Sequence, residues 1–315
     1  MWLKIIFIFL LYMTFSSKII NNNLFYKLYK NKKYKNSLEQ IILNIANTLD
    51  TNYESIINIV KKNKTDTTIY SNLHHIYWSK YSKDSSDNNT NSSNENNYIT
   101  NRAIKNANKI KSIIPTNINL YNKDVFVDIG CGDGSITSEL AKIYRFKKSI
   151  GVDVENWFDT YTTKDKNIEL IITDGKTINI KDNSVDVILC NHVLHHIENL
   201  DDMLDEIARI IKKDGVLIIK EHNCYYKELS YVIDIYHALY ELVYKKTQND
   251  KFIKNYYSNY LSDKELYAKL KKRNFEIINY VYEGGLLANY YGVYKQPFAS
   301  ARARVSSDTS GPKTR

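Results

Sequence analysis

The sequence predicts an α/β chain built on a doubly wound, seven-stranded sheet, mostly parallel with an antiparallel C-terminal strand. Short apolar runs bounded by turn residues recur from Val125 onward and alternate with helical periodicity. The first run leads straight into a glycine turn and an amphipathic helix, in "VFVDIGCGDGSIT", Val125 to Thr137. The last two runs, Phe275 to Tyr282 and "NYYGVYK" from Asn289, follow one another closely and pair as an antiparallel hairpin at one edge.

Each element has its own reason. Val125 to Ile129 is an unbroken apolar strand, and Ser135 to Tyr144 places Ile136, Leu140, Ala141 and Ile143 on one helix face. A second buried strand, Ser149 to Val152, ends at Asp153, and a third, Ile168 to Thr173, is followed by Asp174 and Gly175. Asp186 precedes a fourth, Val187 to Cys190, that ends at Asn191, with His192, His195 and His196 just after it. A helix follows with Asp201 and Asp202 at its start and Met203, Leu204, Ile207, Ile210 and Ile211 facing inward. A turn at Asp214–Gly215 then feeds a fifth strand ending at Lys220, which delivers Glu221 and His222 to the edge where open α/β sheets bind ligands. "LSYVIDIYHALYELVY" reads as an apolar cap helix carrying Asp234, His237 and Tyr240. Ser262 with Glu265 three residues on is a capping box for the last helix.

The glycine loop limits the ligand. Gly130, Gly132 and Gly134 stand at alternate positions, where backbone must turn sharply and a ligand must come close to a helix N-terminus. Asp133 lies between two of them, and a carboxylate there opposes a dinucleotide's pyrophosphate. A cofactor without phosphates removes that conflict, and S-adenosylmethionine, with its positive sulfonium, is one.

"VDIGCGDG" resembles the first motif of the class I S-adenosylmethionine-dependent methyltransferases, and the Rossmann-like resemblance, of the methyltransferase type 11 kind, extends over roughly residues 98–294. It implies S-adenosylmethionine as cofactor and an enzyme that methylates an N or O acceptor, a small molecule or a protein. The glycines would line the methionine end of the cofactor and Asp128 would sit near its ammonium. Asp153 would accept from the ribose hydroxyls, while Asp174 and Gly175 would meet the adenine. Asn191, His192, Glu221 and His222 would surround the methyl group. Of these, His222 is the first choice as acid/base, because an unperturbed imidazole titrates near neutrality, and Glu221 is the second; His195 and His196 are further acceptor contacts. Lys220 is similar to the fifth-strand lysine of the FtsJ-like ribose 2′-O-methyltransferases, an RNA alternative, but Asn191 stands where that family has Asp. A cofactor-binding module without catalysis and an NAD-dependent oxidoreductase are the readings from other classes.

The 315 residues divide into a leader or membrane-proximal segment (1–36), a helical extension ending in a low-complexity linker (37–97), the methyltransferase domain (98–297) and a disordered tail (298–315). "MWLKIIFIFLLYMTF" has an apolar stretch from Ile5 to Leu11, of signal-peptide length, and no acid occurs before Glu39. That pattern resembles a bipartite leader to a plastid-like organelle; a membrane-proximal anchor or a misassigned start would give the same pattern. In the extension, Leu38, Ile41, Ile42, Ile45, Ala46 and Leu49 repeat at helical spacing, and "NLHHIYWSKYSK" is aromatic and basic, suited to a lid or a substrate surface. "DSSDNNTNSSNENN", Asp84 to Asn97, reads as a disordered linker. The net charge of +9 admits RNA or an anionic surface as partner, or only a general over-use of Lys. Three cysteines at no metal-ligand spacing favour a reduced, cytoplasm-like compartment, and no metal is expected. The acceptor and the oligomeric state are not legible.

Overall fold

The computed structural model describes residues 51–62, 91–156, 168–224, 257–283 and 289–296, together with single positions at 30, 32, 35, 39, 42, 43, 46, 72 and 233. The leader, the "NLHHIYWSKYSK" segment, the cap helix with Asp234, His237 and Tyr240, and the tail therefore lie almost wholly outside the described residues.

The elements run α1 (Tyr53–Lys62), α2 (Asn91–Ile113), β1 (Val125–Ile129), α3 (Ser135–Tyr144), β2 (Lys148–Asp153), β3 (Ile168–Ile172), β4 (Val185–Asn191), a 3₁₀ turn (Leu194–His196), α4 (Leu200–Ile210), β5 (Ile211–His222), α5 (Asp263–Lys271), β6 (Glu276–Glu283) and β7 (Asn289–Lys295). The seven strands form one sheet in the order β3-β2-β1-β4-β5-β7-β6. Pairings from β3 through to β5 are parallel, and β7 runs antiparallel to both β5 and β6. The expected edge hairpin is present, and its return strand β7 inserts beside β5.

Both faces of the central sheet are covered, which explains why its strands read as continuous apolar runs rather than alternating ones. Alternate residues serve alternate cores. Val127, Ile188, Leu217, Ile219 and Tyr290 pack on one face with Leu204 and Ile207 of α4 and Leu270 of α5. Phe126, Val187, Leu189, Ile218 and Tyr291 pack on the other with Ala107 and Ile110 of α2 and Leu140 of α3. Most of these buried strand positions are aromatic or β-branched, a composition that suits a pleated surface.

Three expectations change. Helix α2 starts at Asn91, so residues 91–97, expected within a disordered linker, are helical. Asp186 lies inside β4 rather than before it; its Oδ2 accepts from the Val125 N–H and from Lys212 Nζ, tying together the beginnings of β1, β4 and β5. The expected turn at Asp214–Gly215 is present as a bulged turn within β5: Ile211 pairs with Val185 and the next registered pair is Val216 with Val187, so four residues of β5 stand opposite one of β4. Asp214 there has φ 67°, and a Cβ on Gly215 would fall 2.6 Å from Ile211 Cγ1 and 2.8 Å from the Lys212 carbonyl oxygen. β5 also continues past Lys220 to His222. The capping box is as expected: Ser262 Oγ accepts from the Glu265 N–H while Glu265 accepts from the Ser262 N–H.

Candidate functional site

β1 is the point at which the strand order reverses, with β2 on one side and β4 on the other. A crevice opens at the carboxyl ends of strands at such a point. The glycine loop after β1, the residues after β4 and the end of β5 all meet there.

The loop is fixed from below. Asp128 is buried, and its Oδ2 accepts from Thr137 Oγ1 of α3 at 2.6 Å. Gly130, Gly132 and Gly134 all have positive φ, at 70°, 53° and 69°. The first and second are glycines for different reasons. A Cβ on Gly130 would overlap Val193 at 2.2 Å, so the residues after β4 pack directly on the loop, whereas a Cβ on Gly132 would meet nothing within 4 Å. Gly132 thus presents bare backbone to open space. Its N–H donates to Asp153 Oδ2 at 2.9 Å, and Asp153 Oδ1 accepts from Val154 N–H at 2.7 Å. Asp153 therefore joins β2 to the loop; Oδ1 also accepts from the Glu155 N–H at 3.4 Å, while Oδ2 keeps a second lone pair for a ligand hydroxyl. Asp174 folds its own turn, accepting from the N–H groups of Lys176 and Thr177, and those bonds hold its carboxyl below the usual range. Beside it Gly175 lies against Val154, an exposed apolar side chain that the sequence did not single out.

Asp133 proves less repulsive than its position in the loop implied. Its Oδ1 accepts from the N–H and Oγ of Ser135, and its Oδ2 meets Arg102 of α2 at 3.2 Å. The guanidinium offsets the charge on which the case against a pyrophosphate rested. The fit to a cationic ligand rests instead on Asp128. Its Oδ1 is buried with no hydrogen-bond partner among the described residues, and burial pushes its carboxyl up to about 7. A buried carboxylate oxygen beside an open glycine loop suits an ammonium.

At the end of β4, Asn191 Oδ1 is likewise buried without a partner among the described residues. His192 follows in the left-handed region, φ 54°, held by its N–H to the Lys220 carbonyl at 2.8 Å. Its ring lies 4.4 Å from that of His222, centroid to centroid, and His195 lies 5.3 Å from His222. The structure brings the expected His192, His195, Glu221 and His222 together, and it adds Tyr260, whose ring stacks on that of His195 at 5.0 Å.

Glu221 sits among them but is enclosed. It is buried, and both oxygens are engaged: Oε1 accepts from the Leu194 N–H at 2.7 Å, and Oε2 lies 2.6 Å from His195 Nδ1. Burial raises this carboxyl to about 8 against the pull of the surrounding backbone N–H donors. Its work is to hold the 3₁₀ turn and the His195 ring. Lys220, on which the RNA alternative drew, is buried too; it donates to Asn106 of α2, lies over the Tyr291 ring, and burial lowers its pKa. A small cavity beside the histidines is lined by His195, Glu221, His222, Asn259 and Tyr290, with leucines completing its wall. Among the described residues no group of three or more His, Cys, Asp and Glu side chains is placed to hold a metal ion.

The family model for the methyltransferase domain matches residues 127–219, from β1 to within β5. The chain carries a class I S-adenosylmethionine-dependent methyltransferase domain. Its cofactor is S-adenosylmethionine, which supplies a methyl group already activated on sulfonium. The domain is 32% identical over 152 residues to an uncharacterized protein of Methanocaldococcus jannaschii, covering 48% of this chain and 64% of that one. It is 28% identical over 169 residues to the ubiquinone biosynthesis O-methyltransferase of Rickettsia canadensis, covering 52% and 67%. With the ubiquinone/menaquinone biosynthesis C-methyltransferase of Campylobacter jejuni it shares 25% identity over 180 residues, covering 52% and 76%. The chain thus spans about two thirds of the length of the first two relatives.

Proposed function

We propose that this methyltransferase domain transfers the methyl group of S-adenosylmethionine to an N or O atom of a small molecule held beside His192, His195 and His222. The observation that carries the reading is the packing of Val193, next to His192 in the chain, on the glycine loop at Gly130, together with the clustering of the His192, His195 and His222 rings. Asp128, Gly132 and Asp153 would hold the cofactor, and the residues after β4 and β5 would face the acceptor. Methyl transfer from a sulfonium mainly needs the acceptor held in line, and a proton taken from it when it carries one.

The relatives named for ubiquinone biosynthesis include both an O- and a C-methyltransferase, so likeness leaves the acceptor atom open. The local chemistry supports a small, partly apolar acceptor. Among the described residues the cavity wall includes Leu194, Leu261 and Leu266 and no Lys or Arg, which disfavours a phosphate-rich strand there. The test is to incubate the purified chain with methyl-labelled S-adenosylmethionine and separate pools of metabolites, proteins and RNA. Label is expected in the metabolite pool. Label confined to RNA would overturn the small-molecule reading, and label in none of the pools would overturn methyl transfer.

A further inference from the structure

We propose that His195, oriented by Glu221, takes the proton from an acceptor bearing an acidic hydroxyl, a phenol or an enol, whose hydroxyl reaches the small cavity beside it. This rests on the methyl-transfer reading and names its acceptor class and its base.

Glu221 is clamped before it touches the imidazole. The Leu194 N–H fixes Oε1 at 2.7 Å, which aims Oε2 at His195 Nδ1, 2.6 Å away. Once Glu221 has lost its proton, its carboxylate at that distance selects the tautomer with the proton on Nδ1 and leaves the lone pair on Nε2. Tyr260 stacks on the ring at 28°, and the His195 carbonyl accepts from the Asn259 N–H at 2.7 Å, so both the plane and the backbone of His195 are set. His195 and Glu221 both line the cavity, opposite Tyr290 of β7, whose hydroxyl is buried with no hydrogen-bond partner among the described residues. A polar atom of that kind in a mostly apolar wall is what a ligand hydroxyl or carbonyl would satisfy.

The arrangement serves a hydroxyl better than other acceptors. A neutral amine attacks through a free lone pair and can lose its proton afterwards, whereas a hydroxyl oxygen gains nucleophilicity only as its proton leaves. In the proposed step the O–H proton passes to His195 Nε2 as the oxygen bonds to the methyl carbon. The carbon–sulfur bond breaks, its electron pair stays on sulfur, and the sulfonium becomes a neutral thioether. The positive charge then rests on the imidazolium, against Glu221.

Other titrating groups surround the pair. Cys190 and His192 belong to β4 and the residue after it, His196 to the 3₁₀ turn, and Lys220 and His222 to β5. Tyr260, Tyr290 and, from α5, Asp263 complete the set. Burial raises Cys190 and Tyr290 well above their ordinary values, which takes them out of the neutral range. The imidazoles must be separated by mutation.

The experiment uses the full chain, labelled S-adenosylmethionine, and phenol, 4-chlorophenol and 4-nitrophenol as probes, with aniline and thiophenol beside them. The parent should methylate the phenols on oxygen at rates that depend little on their acidity. H195Q should lower the rate with phenol by about 10²-fold or more and recover most of it with 4-nitrophenol above the pH at which that probe ionises unaided. H222Q should keep the parent's pH profile, whatever its rate. A loss in H195Q that is equal for all three phenols at every pH would mean a merely structural role and overturn the proposal. Methyl placed on carbon, nitrogen or sulfur alone would overturn the hydroxyl class. Transfer to no probe and to no cellular pool would instead bring down the methyl-transfer reading beneath it. A readout on the parent needs no turnover: nitrogen-15 NMR of histidine-labelled chain with S-adenosylhomocysteine should find His195 protonated on Nδ1, with that signal displaced in E221Q. His195 protonated on Nε2 would overturn the assignment.

Discussion

Asp128 and the loop glycines carry the most at the scale of single residues. Asp128 ionises at about 7 in the fold against an ordinary 3.8, so between those values the folded chain holds a proton that the unfolded chain has lost. Stability of the ligand-free protein should therefore fall as pH rises through that window and stay lower above it. Cofactor affinity should move the other way. An ammonium needs the ionised carboxylate, so affinity should weaken as pH drops below about 7, by up to tenfold per unit. Calorimetry and thermal unfolding of D128N should show both dependences gone and affinity reduced about tenfold or more. The glycines separate packing from binding. G130A drives a Cβ into Val193 and should destabilise the fold, whereas G132A points into open space. G132A bears only left-handed strain of about 1–2 kcal/mol and should lose cofactor affinity beyond what that strain explains. Equal effects of the two on unfolding and on binding would refute this division.

At the scale of elements, what the sequence made legible was whatever is written locally. Strand β1, helix α3 with the glycine turn between them, and the capping box of α5 depend on residues a few positions apart, and the structure has them where they were expected. What lay beyond reach was made by pairing. The Asp214–Gly215 pair reads as a turn, and only the register of β5 against β4 shows that the strand runs on through it as a bulge. Glu221 and His195 lie 26 positions apart, and neighbouring strand ends bring them to 2.6 Å. No local pattern links them, so Glu221 read as an acid/base candidate with no sign of its contact with His195. Asn and Ser enrichment argued for a linker over 84–97, yet α2 begins within it. The bulge is testable. A Cβ at position 215 meets backbone oxygens of Lys212 and Val185 that cannot swing aside, so G215A should cost about 2–4 kcal/mol in chemical denaturation. A cost under about 0.5 kcal/mol would show that β5 can be straightened there.

For the molecule as a whole, the sheet order explains why these groups meet. Reversal at β1 opens the crevice, α2 and α3 close one face, and α4 and α5 close the other. Insertion of β7 beside β5 gives β5 a partner on both sides and places Tyr290 opposite Glu221. The glycine loop then packs on Val193, and the next residues, Leu194 and His195, line the small cavity beside Tyr290. Both the cofactor roles and the acceptor roles depend on the crevice taking S-adenosylmethionine. The most direct measurement is native mass spectrometry of the chain after equilibration with an equimolar mixture of S-adenosylmethionine and NAD. The expected result is one retained ligand with the mass of S-adenosylmethionine or of its demethylated product, lost in G132A. Retention of NAD in its place would contradict that assignment of the crevice.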